Sequence, residues 1–390
     1  MSTEPPLPTF PALVIRGRAL LPIVQGGMGV GVSAHRLAGT VARHGGVGTI
    51  SSVDLRRHHP DLMRETQHCR DRATIDRANL IALDREIVAA RALAAGRGML
   101  AVNVMRAVSE YGNYVRQACA SGADAIVVGA GLPLDLPELT SAHPNVAVIP
   151  ILSDARGVQV VLRKWERRKR LPDAIVIEHP RYAGGHLGAA SLDELRDPRF
   201  DFERVIPAVL ALFRDMGLAD DAIPLIPAGG INSPARVREL FAVGARGVQL
   251  GTAFAVTEEG DAARGFKEVL ASAKPDDLVE FISVAGLPAR AVRTPWLDRY
   301  LRHLPAMQAV AHRKPRCTLH FDCLTRCGLR DGIAQIGQFC IDTQLAAALR
   351  GDVRKGLFFR GAGPLPFGSQ IRPVRDLIDH FLGRLVPAPG

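Results

Sequence analysis

Aromatic residues are scarce in this sequence: Phe, Trp and Tyr make up 5% of its 390 residues, with only two tryptophans and four tyrosines. A nucleic-acid surface built on base stacking is therefore not expected, and no known nucleic-acid module is present to give the net charge of +10 that meaning. The densest basic run, Arg163 to Arg170, follows apolar Val158, Val160, Val161 and Leu162 and encloses Trp165, the pattern of a helix with a solvated outer face. No apolar run reaches the roughly 18 residues that a membrane-spanning helix needs, so no membrane contact is expected. The N-terminus lacks a basic patch ahead of an apolar core; it does not read as a secretory signal, and a cytoplasmic location is the expectation. Cysteine is sparse too. Of the six, four cluster near the C-terminus, where metal or buried thiols are expected before disulfides.

What the sequence does contain is a regular alternation. Short apolar runs at Leu21–Gln25, Val47–Ile50, Leu100–Asn103, Ala125–Gly129, Ala147–Ile151, Ala174–Glu178, Ile223–Ala228 and Gly247–Leu250 read as strands, and amphipathic stretches separate them. Ser33 is a fitting N-cap for the first of these helices, and Pro234 sits at a favourable first-turn position of a later one. A further helix is expected over Arg85–Ala95, after a polar excursion from about 55 to 84 that could form a lid. Eight strands alternating with helices predict an α/β protein of the (β/α)8 TIM-barrel type. A doubly wound sheet is the alternative, but Gly27, Gly29 and Gly31 have the wrong spacing for a dinucleotide fingerprint. The barrel is expected over residues 1–300, with the insertion after strand two, and a mainly helical extension over 301–390 that caps it.

In a barrel the C-terminal ends of the strands share one mouth. Gly26–Met28, Asn103, Ser153, Glu178, Gly184, Gly185, His186, Gly229, Gly230 and Gln249–Thr252 are thus expected to face one cavity. The G-G-I after strand seven and the G-T after strand eight form a candidate anion cradle of backbone N–H groups. His186, presented by paired glycines, is the candidate proton-handling group.

Four stretches carry a resemblance: L-P-I-V-Q-G-G-M-G (Leu21–Gly29), L-P-D-A-I-V-I-E-H-P-R-Y-A-G-G-H-L-G (Leu171–Gly188), I-P-L-I-P-A-G-G-I (Ile223–Ile231) and G-A-R-G-V-Q-L-G-T-A-F (Gly244–Phe254). Together they resemble the nitronate monooxygenase family, formerly 2-nitropropane dioxygenases, a flavin-dependent group that includes FMN-type enoyl-acyl-carrier-protein reductases. The resemblance implies FMN, its phosphate against Gly229, Gly230, Gly251 and Thr252 with Gln249 nearby, and its ring system against Gly27, Met28, Asn103 and Gly184. Glu178 and Gly185 belong to the same implied cofactor set, and His186 matches the family's histidine over the flavin. Implied activities are oxidation of alkyl nitronates with O2 to carbonyl compounds and nitrite or, in the reductase branch, NAD(P)H-dependent reduction of an enoyl thioester or a quinone. A low-turnover flavin-binding regulatory protein is a third reading. His179 and Tyr182 depart from the usual pattern and are read either as loop residues or as reshaping the substrate space.

The extension holds Cys317, Cys323, Cys327 and Cys340. Their spacing allows an Fe–S cluster or zinc, the latter with His320, against the simpler reading of reduced buried thiols. Residues Gly356–Pro364 end in glycines expected to return toward the mouth. Helices are expected over Thr343–Leu349 and Leu377–Leu385.

Overall fold

The computed structural model describes residues 10–311, 323–325, 327 and 340–384. Numbered along the chain, its strands are β1 (Leu13–Ile15), β2 (Arg18–Leu20), β3 (Ile23–Gln25), β4 (Val47–Ser51), β5 (Met99–Met105), β6 (Ala125–Gly129), β7 (Ala147–Leu152), β8 (Ile175–Glu178), β9 (Gly185–His186), β10 (Leu225–Ala228), β11 (Val248–Leu250), β12 (Leu278–Ile282) and β13 (Pro288–Val292). The helices are α1 (His35–Arg43), α2 (Pro60–Thr66), α3 (Arg72–Ala94), α4 (Tyr111–Ala120), α5 (Leu136–Leu139), α6 (Ala155–Glu166), α7 (Phe202–Asp215), α8 (Pro234–Ala242), α9 (Thr252–Ala255), α10 (Arg264–Ser272), α11 (Pro295–Ala311), α12 (Ile341–Leu349) and α13 (Val374–Phe381).

Strands β3, β4, β5, β6, β7, β8, β10 and β11 pair in parallel and close on themselves, β11 against β3, into an eight-stranded barrel. All eight predicted strands are in it. Because a barrel strand is covered on both faces, its residues are apolar in both directions. Val24, Met99, Ala101, Val127, Ile149 and Val176 fill the interior, while Ile50, Val102, Ile126, Val148 and Ile177 meet the surrounding helices. The β1–β2 hairpin, absent from the sequence reading, plugs the N-terminal end with Leu13, Ile15 and Leu20.

The structure corrects several expectations. Helix α3 begins at Arg72, 13 residues before the expected Arg85, so it takes in residues 72–84 of the excursion. Its buried Ile75, Ala78, Ala82 and Ile87 pack with Leu37 and Val41 of α1 in the main core. None of residues 55–84 reaches the cavity at the barrel mouth, so this segment buttresses the barrel and is no lid. Ser33 does not cap α1. Its hydroxyl accepts from the Met28 N–H at 2.8 Å, and the free N–H groups of the helix start are taken by remote carboxylates. Asp261 accepts from Ala34, Arg36 and Leu37, and Glu86 accepts from His35. Acidic groups are favoured at a helix N-terminus whatever their distance along the chain.

Beyond the barrel, β12, β13 and β9 form an antiparallel sheet in which Ala289 pairs with His186. The C-terminal extension is fastened to this assembly. Helix α13 places Val374, Leu377, Ile378 and Phe381 in the same core as α1 and α8. The Ala362 N–H donates to the Tyr182 carbonyl at 3.1 Å and the Gly361 N–H to the Thr252 hydroxyl at 3.0 Å.

Candidate active site

The C-terminal ends of the barrel strands open into a cavity of about 1070 Å³. Single-ligand pockets usually run to roughly 300–1,000 Å³, so it has room for a cofactor and a substrate together. Gly27, Met28, Asn103, Glu178, Gly184, Gly185, His186, Gly229, Gly230, Gln249, Gly251 and Thr252 all line it. Ser153 does not; it lies beneath the loop, where a side chain on Gly188 would meet its hydroxyl at 2.8 Å.

Glycine is required at particular points of this wall. A Cβ on Gly27 would stand 2.3 Å from the Asn103 Cβ, and one on Gly184 would stand 2.6 Å from the Arg360 carbonyl carbon. Gly230 has φ +71°, and any side chain there would also run into the Tyr182 ring at 2.8 Å. Backbone N–H groups are thereby left open to a ligand.

Three polar side chains, Asn103, Glu178 and Gln249, face the cavity with no hydrogen-bond partner among the described residues. Burial pushes the Glu178 carboxyl up to about 7, so near neutrality it is poised between donor and acceptor. A buried Gln25, unremarked in the sequence, bridges β3 and β4: its amide accepts from the Thr49 N–H at 2.8 Å and donates to the Thr49 carbonyl at 3.0 Å.

His186 sits on β9, edge-on to Phe359, with ring centroids 5.5 Å apart. Burial lowers its imidazole to about 4, so it is neutral at physiological pH. Its Nε2 lies 2.9 Å from the hydroxyl of the fully buried Ser283, which also accepts from the Ala285 N–H at 3.2 Å. If Nε2 carried the proton, the Ser283 hydroxyl hydrogen would have no acceptor among the described residues. Satisfying the serine donor therefore places that hydrogen on Nε2's lone pair and the imidazole proton on Nδ1, which has no partner among the described residues. No sequence signal marked Ser283, because β12 and β9 are paired only through β13.

His179, seven residues earlier, has another task. It is 2% exposed, lies edge-on to Tyr182 and Phe202, and accepts from the Arg181 N–H at 3.3 Å. It braces the loop from behind, and Tyr182 alone of the two lines the cavity. The loop is held from the other side by buried Arg290, which donates to the Ala183 carbonyl and pairs with Glu280 at 2.7 Å.

Of the cysteines, Cys323 lines the cavity rim, Cys327 lies 3.7 Å from the Val284 carbonyl, and Cys340 is buried just ahead of α12. Among the described residues no group of three His, Cys, Asp or Glu could hold a metal ion. Cys317 and His320 lie outside the described residues.

Comparison with known proteins bears on the whole arrangement. The "Probable nitronate monooxygenase" of Staphylococcus saprophyticus is 29% identical over 32% of this chain and 33% of its own length. Its namesake from Staphylococcus aureus (strain N315) is 28% identical over 41% of this chain and 44% of its own. The matched segments thus span less than half the length of these curated relatives. Among solved structures, FabK from Thermotoga maritima superposes with a TM-score of 0.63 at 22% identity, over 93% of this chain and 92% of that one. The nitroalkane oxidase from Streptomyces ansochromogenes gives 0.61 at 19%, over 93% and 95%. These likenesses show a shared fold. The family model for nitronate monooxygenase matches residues 17–382, and the chain belongs to that family.

Proposed function

We propose that the protein is an FMN-dependent oxidoreductase that oxidises alkyl nitronates with O2 to carbonyl compounds and nitrite. The observation that carries this reading is the meeting, in one cavity, of a glycine-lined cradle, three unpartnered polar side chains and a neutral histidine. The cradle suits a flavin mononucleotide. Gly229, Gly230, Gly251 and Thr252 would hold its phosphate, and the Thr252 hydroxyl, which accepts from Gly361, keeps its own hydrogen to donate. Gly27, Met28 and Gly184 would lie against the ring, with Asn103, Glu178 and Gln249 supplying hydrogen bonds to its polar edges. Bound there, the flavin supplies electron transfer, and the protein supplies orientation and electrostatics.

The histidine decides between substrate forms. Removing the α-proton of a neutral nitroalkane needs a base matched to the operating pH, and an imidazole lowered to about 4 is a weak one. A nitronate has already lost that proton. Nδ1–H of His186 can then donate to a nitro oxygen while the Ser283 hydroxyl fixes the ring. Apolar Phe359, edge-on to the imidazole, would exclude water beside the bound anion.

Cavity size favours one second reading. A space of about 1070 Å³ also admits an enoyl thioester or quinone, reduced at the expense of NAD(P)H. The visible spectrum of the purified protein, recorded anaerobically, separates the two. A flavin band that ignores NADH and NADPH but bleaches with an alkyl nitronate is the expected result. Rapid bleaching by either nucleotide would replace the monooxygenase with the reductase, and a protein that neither carries nor takes up flavin would overturn both.

A further inference from the structure

We propose that Arg290, anchored by Glu280, is a positioning residue for His186: it fixes the turn through Ala183, Gly184 and Gly185 and so sets where the imidazole stands in the cavity. The inference takes from the nitronate reading only that this imidazole meets the substrate. The chain between β8 and α7 runs from residue 179 to 201, and the strand that carries His186 within it, β9, has two residues and pairs with β13 alone. Gly185 has φ +75°. With glycines on the approach, the local backbone does not set the direction of the histidine. That direction has to come from outside the loop.

The β12–β13 hairpin supplies it at several points. Its Ser283 meets Nε2 of the imidazole, and its Pro288 carbonyl accepts from the Leu187 N–H at 3.0 Å. Arg290 holds the other flank. It stands opposite Gly185 in the strand register, with Glu280 opposite it on β12, and its side chain is 2% exposed. Nη1 donates to the Ala183 carbonyl and Nη2 to Glu280 at 2.7 Å. The second oxygen of Glu280 is 3.3 Å from Arg196, in the short helical turn Asp193–Arg196 beyond the histidine. There Leu195 packs with Ala183, Leu187 and Ala189. The loop is thus gripped before and after His186 by one line of charged groups, Arg196, Glu280 and Arg290. A planar guanidinium fixes two acceptors at once, which a point charge on a flexible stem does not. Stability alone does not call for this arrangement, because a buried ion pair is often matched by apolar residues of the same volume. Arg290 does not line the cavity, so any effect on the chemistry passes through the loop.

Kinetics in two backgrounds test this. Arg290→Gln should lower turnover of an alkyl nitronate, counted per bound flavin, by about 10–100-fold, as a misplacement of about 1 Å does. In His186→Ala the same substitution should change turnover by less than about twofold, because the group it positions is gone. Equal losses in both backgrounds would overturn the proposal and leave Arg290 a structural residue. Glu280→Ala, which removes the anchor and leaves Arg290 at Ala183, should give the same pattern at smaller size, and it serves as the test if Arg290→Gln does not fold. Turnover unaltered in Glu280→Ala would overturn the anchor and the proposal with it. A spectroscopic reading is independent of the reaction. In protein labelled with heavy-nitrogen histidine, the His186 ring resonances, identified by their absence from His186→Ala, should shift or broaden in Arg290→Gln and in Glu280→Ala. Unmoved resonances would overturn the positioning role. If His186→Ala itself leaves turnover unchanged, the nitronate reading fails at that residue, and the ring resonances alone decide on Arg290.

Discussion

The two walls of the cavity are made of different materials. The barrel wall presents backbone and small residues, among them Gly27, Gly229, Gly230 and Gly251, and sets the polar side chains Asn103, Glu178 and Gln249 among apolar ones such as Met28, Val30 and Ile151. The wall supplied by the C-terminal extension presents Leu345, Ala348, Leu357 and Phe359. The first can bind phosphate and heteroatoms through fixed N–H groups, and these four side chains of the second can only exclude water. On the proposed reading the site divides its work: strand ends would orient a cofactor and a reactive head group, and the extension would decide what else fits. His186 stands at the seam, on a strand of neither the barrel nor the extension, touching Ser283 on one side and Phe359 on the other.

If that division holds, substitutions at the seam and in the two walls differ in kind. The largest effect is expected at the seam. His186→Ala should lower turnover with an alkyl nitronate by about 10²–10⁴-fold, with flavin content unchanged, because the imidazole is not part of the cradle. Ser283→Ala should keep the ring but release its tautomer, costing less than the loss of the ring itself, and Ser283→Thr should restore the rate. Steady-state kinetics with flavin absorbance as the internal standard checks both. Equal losses in the Ala and Thr variants would show that Ser283 only packs.

Next in size is a substitution far from the chemistry. Phe381 is fully buried in the core shared by α13, α1 and α8. Phe381→Ala should cost about 3–5 kcal/mol of stability, with barrel helix α1 and tail helix α13 losing hydrogen-exchange protection together. Loss confined to α13 would make the extension a separable flap and would break the comparison drawn above.

The same contrast explains what the sequence disclosed. The barrel was legible because each strand is a short apolar run bounded by glycine or a polar residue, and because the eight close without remainder. The cradle and His186 followed from the rule that strand ends converge. What could not be read depends on pairing across long separations. The β1–β2 hairpin has three residues in each strand, too few to show a period. Asp261 caps α1 from 227 positions away, and nothing local distinguishes it from any other surface acid. Ser283 reaches His186 across 97 positions through an intervening strand. The amphipathic pattern of α13 announced a buried face without saying what would cover it. His179 and His186 look equivalent in one loop, yet one is 2% exposed behind that loop and the other lines the cavity. That difference arises from the turn through Gly184 and Gly185, which is closed against Arg360 of the extension.

The smallest predicted effect tests the dryness of the barrel wall. Glu178 is raised to about 7 from an ordinary 4.5, so between those values the folded protein keeps a proton that the unfolded chain releases. Stability on its account falls as pH rises through that window. His186, lowered from 6.5 to about 4, acts in the opposite sense: the unfolded chain takes up a proton that the folded imidazole refuses, so stability rises with pH between those values. From pH 4.5 to 6.5 these two contributions oppose each other. Glu178→Gln removes one of them. Relative to the native protein, the variant should gain stability as pH rises from 4.5 to 7, by about 1–2 kcal/mol once water in the cavity is allowed for, and its own profile should steepen on the acid side. Urea midpoints of both proteins across pH 4.5 to 8 measure the difference directly, and groups common to both, Asp342 among them, cancel. A difference that does not change with pH would mean that Glu178 is hydrated as it would be on an open surface, and that the polar wall is as wet as the apolar wall is dry.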